Sequence, residues 1–299
     1  IRDVSLCLQR GRVMALVGES GSGKSMTARS IMRLVPRPGR IISGEIDFCG
    51  TNLLLLPESD MRAIRGKSIS MIFQEPMTSL NPVLTIGRQV AEPLEVHEGI
   101  STKKALKIAA SLLERVGIPA AASRLDDYPH QFSGGMRQRV MIAMALACSP
   151  SLLLADEPTT ALDITIQRQI LQLLRQVAQQ RDMGVLLITH DLGVVAECAD
   201  DVSVMYAGEI IEQCTAETFF RNPLHPYSKM LMECAPTLSN NNRQRLPFIP
   251  GSVTLPDSKD AGCVFRMRCP AAASTCSQPQ PLHDVGQGHH VRCPLAKKI

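Results

Sequence analysis

The sequence predicts an α/β fold, with a helical subdomain inserted into it and a small Cys-rich extension after it. Three observations predict this. Short, wholly apolar runs alternate with helical segments along the first 232 residues. A block over about 80–140 carries apolar residues at helical spacing. Composition then shifts after Met232 towards Asn, Ser, Pro and Cys.

Val13, Met14, Ala15, Leu16 and Val17 form an apolar run that ends at Gly18, which reads as a buried strand feeding a loop. Residues 25–34 read as a helix closed by Pro36 and Pro38. Residues 69–73 read as a second short strand. From 86 to 117 the pattern turns helical, with Ala105, Leu106, Ile108, Ala109, Leu112, Leu113 and Val116 recurring on one face. Residues 152–155 and 185–189 are apolar throughout, as expected of strands in a parallel sheet covered on both faces. A polar-faced helix over 164–180 separates them. Strands alternating with helices argue for an α/β core. The reading is therefore one large domain over 1–232, a linker over 233–262 marked by Ser239-Asn240-Asn241-Asn242, and an extension over 263–299. The extension has too few apolar residues for a core of its own and needs a staple.

Bulk properties narrow the function. The 299 residues are 44% hydrophobic and 3% aromatic, with no Trp, so the core is aliphatic and Met-rich. The net charge of +4 is mild, and basic clusters with stacking aromatics are missing, which argues against nucleic acid as a partner. The longest apolar stretch, 140–155, is broken by Ser149-Pro150-Ser151 and falls short of the about 20 residues a membrane span needs. It reads as a buried helix followed by a buried strand. No charged-then-apolar leader opens the chain. Ile1 falls mid-pattern, and the natural N-terminus is expected upstream of it. Cys7, Cys49, Cys148, Cys198, Cys214 and Cys234 are expected to be buried free thiols.

Gly18-Glu19-Ser20-Gly21-Ser22-Gly23-Lys24-Ser25 follows a strand and opens a helix, which is the full GxxxxGK[ST] pattern in its proper context. Gly18, Ser20, Gly21, Ser22 and Gly23 let backbone amides point at phosphate oxygens, and the helix N-terminus favours the anion. Lys24 is expected at the β- and γ-phosphates, Ser25 on Mg²⁺, and Met26 belongs to the same nucleotide-binding set. Four apolar residues lead into Asp156 and Glu157. Asp156 is the expected Mg²⁺ partner, and Glu157 is placed to orient and deprotonate an attacking water. His190 ends another strand, on the side where loops meet ligand, and is expected to hydrogen-bond the γ-phosphate. Gln74 ends the strand over 69–73 and is expected near the metal or the water.

A second anion device lies at Ser133-Gly134-Gly135, before a helix expected over 136–148. Taken in order, GESGSGKS, Gln74, FSGGMRQR, LLLADEP, Ala161-Leu162-Asp163 and His190 resemble the ATP-binding-cassette (ABC) ATPases over roughly 1–232. The resemblance implies a P-loop NTPase core with a helical subdomain between Gln74 and the SGG segment. It also implies ATP and Mg²⁺ as ligands, and it adds Asp163 to the nucleotide-binding set. It explains why one chain carries two phosphate devices. In this family Ser133, Gly134 and Gly135 serve the nucleotide of a second cassette, so two subunits sandwich two ATP molecules head to tail. The chain departs from the family in having Met136 where Gln is commoner. It also has no aromatic residue before Phe48 to stack on adenine, so base stacking is unassigned.

The stretch from Phe73 to Pro82 and the segment Arg221-Asn222-Pro223-Leu224-His225-Pro226-Tyr227 are similar to the ATP-binding subunits of dipeptide, oligopeptide and nickel importers. That similarity implies a second ATPase subunit, identical or paralogous, two transmembrane permease subunits and a periplasmic or extracellular solute-binding protein. It implies a peripheral location on the cytoplasmic face of the inner membrane, with coupling through a groove over about 74–92. The rival readings are a soluble, non-transport ABC ATPase and a nucleotide sensor. Paired cassettes, coiled-coil insertions or a lost catalytic residue would mark these, and none appears in the sequence.

Cys263, Cys269, Cys276 and Cys293 are separated by five, six and sixteen residues. Disulfides do not suit a cytosolic, nucleotide-driven subunit. Zinc favours tight pairs two to four residues apart, and none occurs here. Iron–sulfur clusters accept looser spacing. From spacing alone, a cluster, zinc and unligated thiols all stay open, and the importer resemblance implies a 4Fe–4S cluster. Arg266 and Arg268, between these cysteines, either offset thiolate charge or are solvated.

Overall fold

The apolar run after Arg12 forms strand β1 (Val13–Val17), and the phosphate-loop lysine opens helix α1 (Lys24–Ile31). The structure is a computed structural model and describes residues 1–75, 79–160, 162–234, 248–253 and 262–296. Residues 76–78 of the coupling stretch, Ala161, and most of the expected linker over 233–262 lie outside the described residues.

After α1 come the short paired strands β2 (Asp47–Phe48) and β3 (Thr51–Asn52), helix α2 (Glu58–Ile64) and strand β4 (Ile69–Ile72). The helical block holds α3 (Ile86–Glu98), α4 (Thr102–Arg115) and α5 (Gly134–Leu146). Next in the chain are β5 (Leu152–Asp156), α6 (Ile164–Arg181), β6 (Gly184–Thr189) and α7 (Leu192–Cys198). The hairpin strands β7 (Asp201–Tyr206) and β8 (Glu209–Thr215) lead into α8 (Ala216–Arg221) and α9 (Pro226–Cys234). The extension adds β9 (His283–Asp284) and β10 (His290–Val291). No helix of the described residues is long and apolar enough to cross a membrane.

The chain divides into two compact units. The first comprises Ile1–Leu8, Val13–Thr27 and Ile188–Ile299. Within it β1 runs parallel to β7, β7 turns back antiparallel into β8, and β8 pairs antiparallel with β10. The sheet is thus mixed rather than parallel throughout. The β7–β8 turn is the pair Ala207-Gly208, at φ 46° and 88°. This left-handed pair suits a two-residue hairpin. The core of this unit gathers Val17, Val204, Tyr206, Ile211, Phe219 and Tyr227 with Cys263, Phe265 and Cys276 of the extension. The extension therefore shares a core rather than building one, as its composition requires.

The second unit comprises Gln9–Arg12 and Ala28–Leu187. Its β4 and β5 pair in parallel, with Met71 opposite Leu154. The single helical stretch expected over 86–117 is two helices. Gly99 ends α3 in the left-handed conformation (φ 64°), donating its amide to the Glu95 carbonyl, and α4 restarts at Thr102. Val90 and Leu94 of α3, and Ala105, Ala109 and Leu113 of α4, are fully or nearly fully buried, which accounts for the periodicity. The apolar stretch 140–155 resolves into the buried side of α5, a turn, and β5. All ten cysteines are free thiols; Cys7 and Cys49 are exposed, against expectation.

Candidate active site

The phosphate loop lies in the first unit, and its glycines are sterically required. Gly18 (φ 151°) and Gly23 (φ 107°) adopt backbone conformations that L side chains rarely take. A Cβ on Gly18 would run into the Met205 carbonyl, and one on Gly23 would lie 2.9 Å from Met205 Cε. The loop is thus pressed against the end of β7. The Gly208 amide donates to the Ser22 carbonyl at 2.8 Å. Lys24 is 6% exposed. Its ammonium donates to the carbonyls of Gly18 (2.7 Å) and Glu19 (2.9 Å) and to Ser22 Oγ (3.4 Å). The cation is therefore held inside the arc of its own loop. Ser20 and Gly21 are exposed, while Gly23, Ser25 and Met26 are half-buried. His190, at the end of β6, is exposed. It lines a cleft of about 410 Å³ together with Val17, Gly18, Glu19 and Leu192. The structure thus brings His190 to the start of the loop.

The second unit holds the carboxylates. Asp156 closes β5 at 3% exposure. Glu157 is next, at φ 49°, a left-handed conformation that costs a non-glycine residue energy and that clusters at functional sites. Its Oε2 accepts Thr160 Oγ1 at 3.0 Å and, more weakly, Gln74 Nε2 at 3.4 Å. Gln74 and Glu157 are therefore brought together. Thr160 was not among the expected site residues, and its position three after Glu157 in a turn was the available signal. Gln138 of α5 donates to the Pro158 carbonyl at 2.8 Å and ties that helix to the same turn.

Helix α5 starts two residues earlier than expected. Ser133 is its N-cap, with Oγ accepting the Met136 amide at 3.3 Å, so Gly134 and Gly135 form the first turn. First-turn amides lack partners within the helix, which is what an anion-binding end requires. Ser133 and Gly134 are exposed. Asp163 caps α6, its Oδ1 accepting the Ile166 amide at 3.0 Å.

The four late cysteines share a neighbourhood in the first unit. Cys263, Cys276 and Cys293 are buried and Cys269 is half-buried. Burial, with the three neighbouring thiols, pushes the Cys263 thiol up to about 11. Burial likewise raises Cys269 and Cys293. Among the described residues, no three of these sulfurs lie within 4.8 Å of one another. Arg268 is neither a counter-charge to the thiols nor solvated: it pairs with Glu19 of the phosphate loop at 2.7 Å.

The segment Leu224-His225-Pro226-Tyr227 is held from within. Glu212 of β8 is fully buried and accepts the amides of Leu224 (2.7 Å) and His225 (3.0 Å). His289 Nε2 lies 2.7 Å from Glu212 Oε1. Burial alone would raise the Glu212 pKa, but the His289 contact and the backbone amides bring it below the usual value. Burial pushes the His225 imidazole down to about 4, so it is neutral. Its Nδ1 accepts the Tyr227 amide at 3.1 Å.

Residues 1–160, more than half of the chain, match the ABC transporter family. The chain belongs to the ABC transporter family. Residues 211–276 of this ABC protein match a second pattern, the C-terminal region of oligopeptide/dipeptide transporters. Over 294 residues it is 48% identical to a Brucella abortus protein provisionally named as a peptide import ATP-binding protein, covering 98% of this chain and 88% of the relative. It is 49% identical over 292 residues to a probable peptide ABC transporter ATP-binding protein of Sinorhizobium fredii, covering 97% and 87%. Two solved structures are similar at 30% identity, each covering 71% of this chain and 88% of theirs. One is a dimeric ATP-binding cassette in a post-hydrolysis state bound to ADP and Pi, at a TM-score of 0.65. The other is a dimeric bacterial ABC transporter cassette, at 0.64. This ABC protein is an ATPase with the mixed α/β P-loop fold of the family.

Proposed function

We propose that this ABC protein is the ATP-binding and hydrolysing subunit of an importer of peptides or related small solutes. The observation that carries ATP chemistry is the phosphate loop, with its left-handed glycines and the Lys24 ammonium buried inside its arc. The loop amides of Gly18 to Gly23 and Lys24 take the phosphates, with Met26 beside them in the set. Ser25 and Asp156 hold Mg²⁺, with Gln74 as a further ligand; bound there, Mg²⁺ neutralises developing charge on the phosphoryl oxygens. Glu157 orients and deprotonates water, helped by Gln74, and His190 hydrogen-bonds the γ-phosphate.

Ser133, Gly134 and Gly135 serve the nucleotide of a second cassette, with Asp163 in the same set. The γ-phosphate then favours the closed pair, because a ligand shifts an equilibrium only by its differential affinity for the two states. The domain over 1–232 carries this chemistry, and 233–262 links it to the extension over 263–299. Support for peptides as cargo comes from the names its relatives bear. That cargo requires two membrane-embedded permease subunits and a solute-binding protein outside, and it places the chain on the cytoplasmic membrane face. Purified from membranes of its own host through a tag, the chain brings down two membrane-embedded subunits. Recovery without any membrane protein would remove the importer reading.

Cys263, Cys269, Cys276 and Cys293 hold a 4Fe–4S cluster, which cross-links the extension. Anaerobically purified protein is then brown and carries about four irons per chain, as a 4Fe–4S cluster demands. Colourless protein with one zinc per chain would replace the cluster with a zinc site.

A further inference from the structure

Glu19, the second residue of the phosphate loop, has a partner that the loop motif does not require. Arg268 approaches it end-on, with Nη1 donating to Oε2 at 2.7 Å and Nη2 to Oε1 at 3.1 Å. Such two-pronged pairing fixes direction as well as distance. The rest of the guanidinium is committed too. Nε donates to the Pro250 carbonyl at 2.7 Å, and Nη2 to the Ile249 carbonyl at 3.1 Å. Nη1 also donates to Tyr206 Oη at 3.2 Å, and the guanidinium lies over the Tyr206 ring, 5.7 Å from its centroid. The Arg268 side chain is 8% exposed and that of Glu19 25%, so solvent screens this pair less than an ordinary surface salt bridge. The hydrogen bonds to Glu19 drive the Arg268 pKa above its usual value.

Glu19 is also gripped through its backbone. Its amide donates to Tyr227 Oη at 2.8 Å, and its carbonyl accepts the Lys24 ammonium at 2.9 Å. One residue thus joins Arg268, Tyr227 and the phosphate-binding lysine. A displacement of Glu19 moves the carbonyl that aims Lys24. The loop carries glycines close by, at Gly18 and Gly21, both at positive φ, and is intrinsically permissive. Holding such a loop in its bound shape beforehand lowers the cost of binding.

We propose that Arg268 is a positioning residue for ATP binding: through Glu19, and together with Tyr227, it presets the loop amides and Lys24 for a polyphosphate. Arg268 itself touches no substrate. The proposal rests on the reading of the loop as the ATP site. It gives the extension a task, because Arg268 precedes Cys269 directly and is held to Phe265 by its own amide (3.0 Å).

The test uses the full chain with Arg268→Ala, Arg268→Lys and Glu19→Gln, measuring KM and kcat for ATP hydrolysis and ATP affinity by direct binding. Arg268→Ala raises KM and Kd about fivefold or more at nearly constant kcat, within the usual range of coupling between sites. Arg268→Lys recovers part of the loss, and Glu19→Gln reproduces it. The double variant Glu19→Gln/Arg268→Ala is no worse than either single one, because both break one link. If Arg268→Ala does not fold, Glu19→Gln carries the test, since it leaves Arg268 on Tyr206. Unchanged affinity in these variants, additive losses in the double variant, or a fall in kcat at constant KM overturns the proposal while the ATP-site reading stands. A wild-type chain that binds no ATP overturns both.

Discussion

Glu157→Gln leaves ATP binding intact and lowers hydrolysis by about 10²- to 10⁴-fold, the usual worth of a general base. The expectation comes from where Glu157 sits. It follows β5 directly and its backbone is left-handed (φ 49°). Thr160 Oγ1 and Gln74 Nε2 both donate to its Oε2, which holds the carboxylate in place at the end of β5. Glutamine keeps the shape and an acceptor oxygen but cannot take a proton. Single-turnover hydrolysis beside direct nucleotide binding separates the two effects. Sedimentation adds a second reading: the variant accumulates as a dimer with ATP, because the γ-phosphate proposed to bridge the pair is not removed. Hydrolysis at the wild-type rate would strip Glu157 of the base role.

Phe265→Ala lowers the unfolding free energy by about 3–5 kcal/mol, the range for deleting a buried aromatic ring. Phe265 is 1% exposed. Its ring lies 5.1 Å from that of Tyr206 and 5.2 Å from that of Tyr227, in tilted and edge-on geometry. The neutral His225 ring lies on the same cluster at 5.8 Å. Removing Phe265 leaves a void under Tyr227, whose hydroxyl holds the Glu19 amide. Denaturant unfolding of the full chain measures the loss. A change below about 1 kcal/mol would place the extension outside the cooperative core.

The main strands and helices are readable because their signals are local. The β1 run ends where Gly18 forces a turn, and the α6 periodicity ends where Asp182 takes φ 54°. Helix boundaries differ from expectation by a few residues where a cap outweighs apolar spacing. Gly99 divides α3 from α4, and Ser133 starts α5 early. The β7–β8 hairpin has no clear signal in the sequence. Glu209 and Glu212 interrupt the apolar pattern of β8, and as isolated letters they look solvent-facing. Both are buried because partners lie far off in sequence: Arg2 for Glu209 at 2.5 Å and His289 for Glu212 at 2.7 Å.

The same division separates two kinds of site residue. Lys24, Ser133, Asp156 and Glu157 stand out because each sits at the strand end or helix start beside it, whereas Asp163 joins them only through the family resemblance. That much the order of residues alone determined, along with the family. Arg268 and Glu19 are 249 positions apart, and nothing near either one marks the pairing. Only the folded chain decided that an arginine among the cysteines grips the phosphate loop. Long-range contacts depend on how separate segments pack together, and packing is a property of the whole chain, not of any one segment.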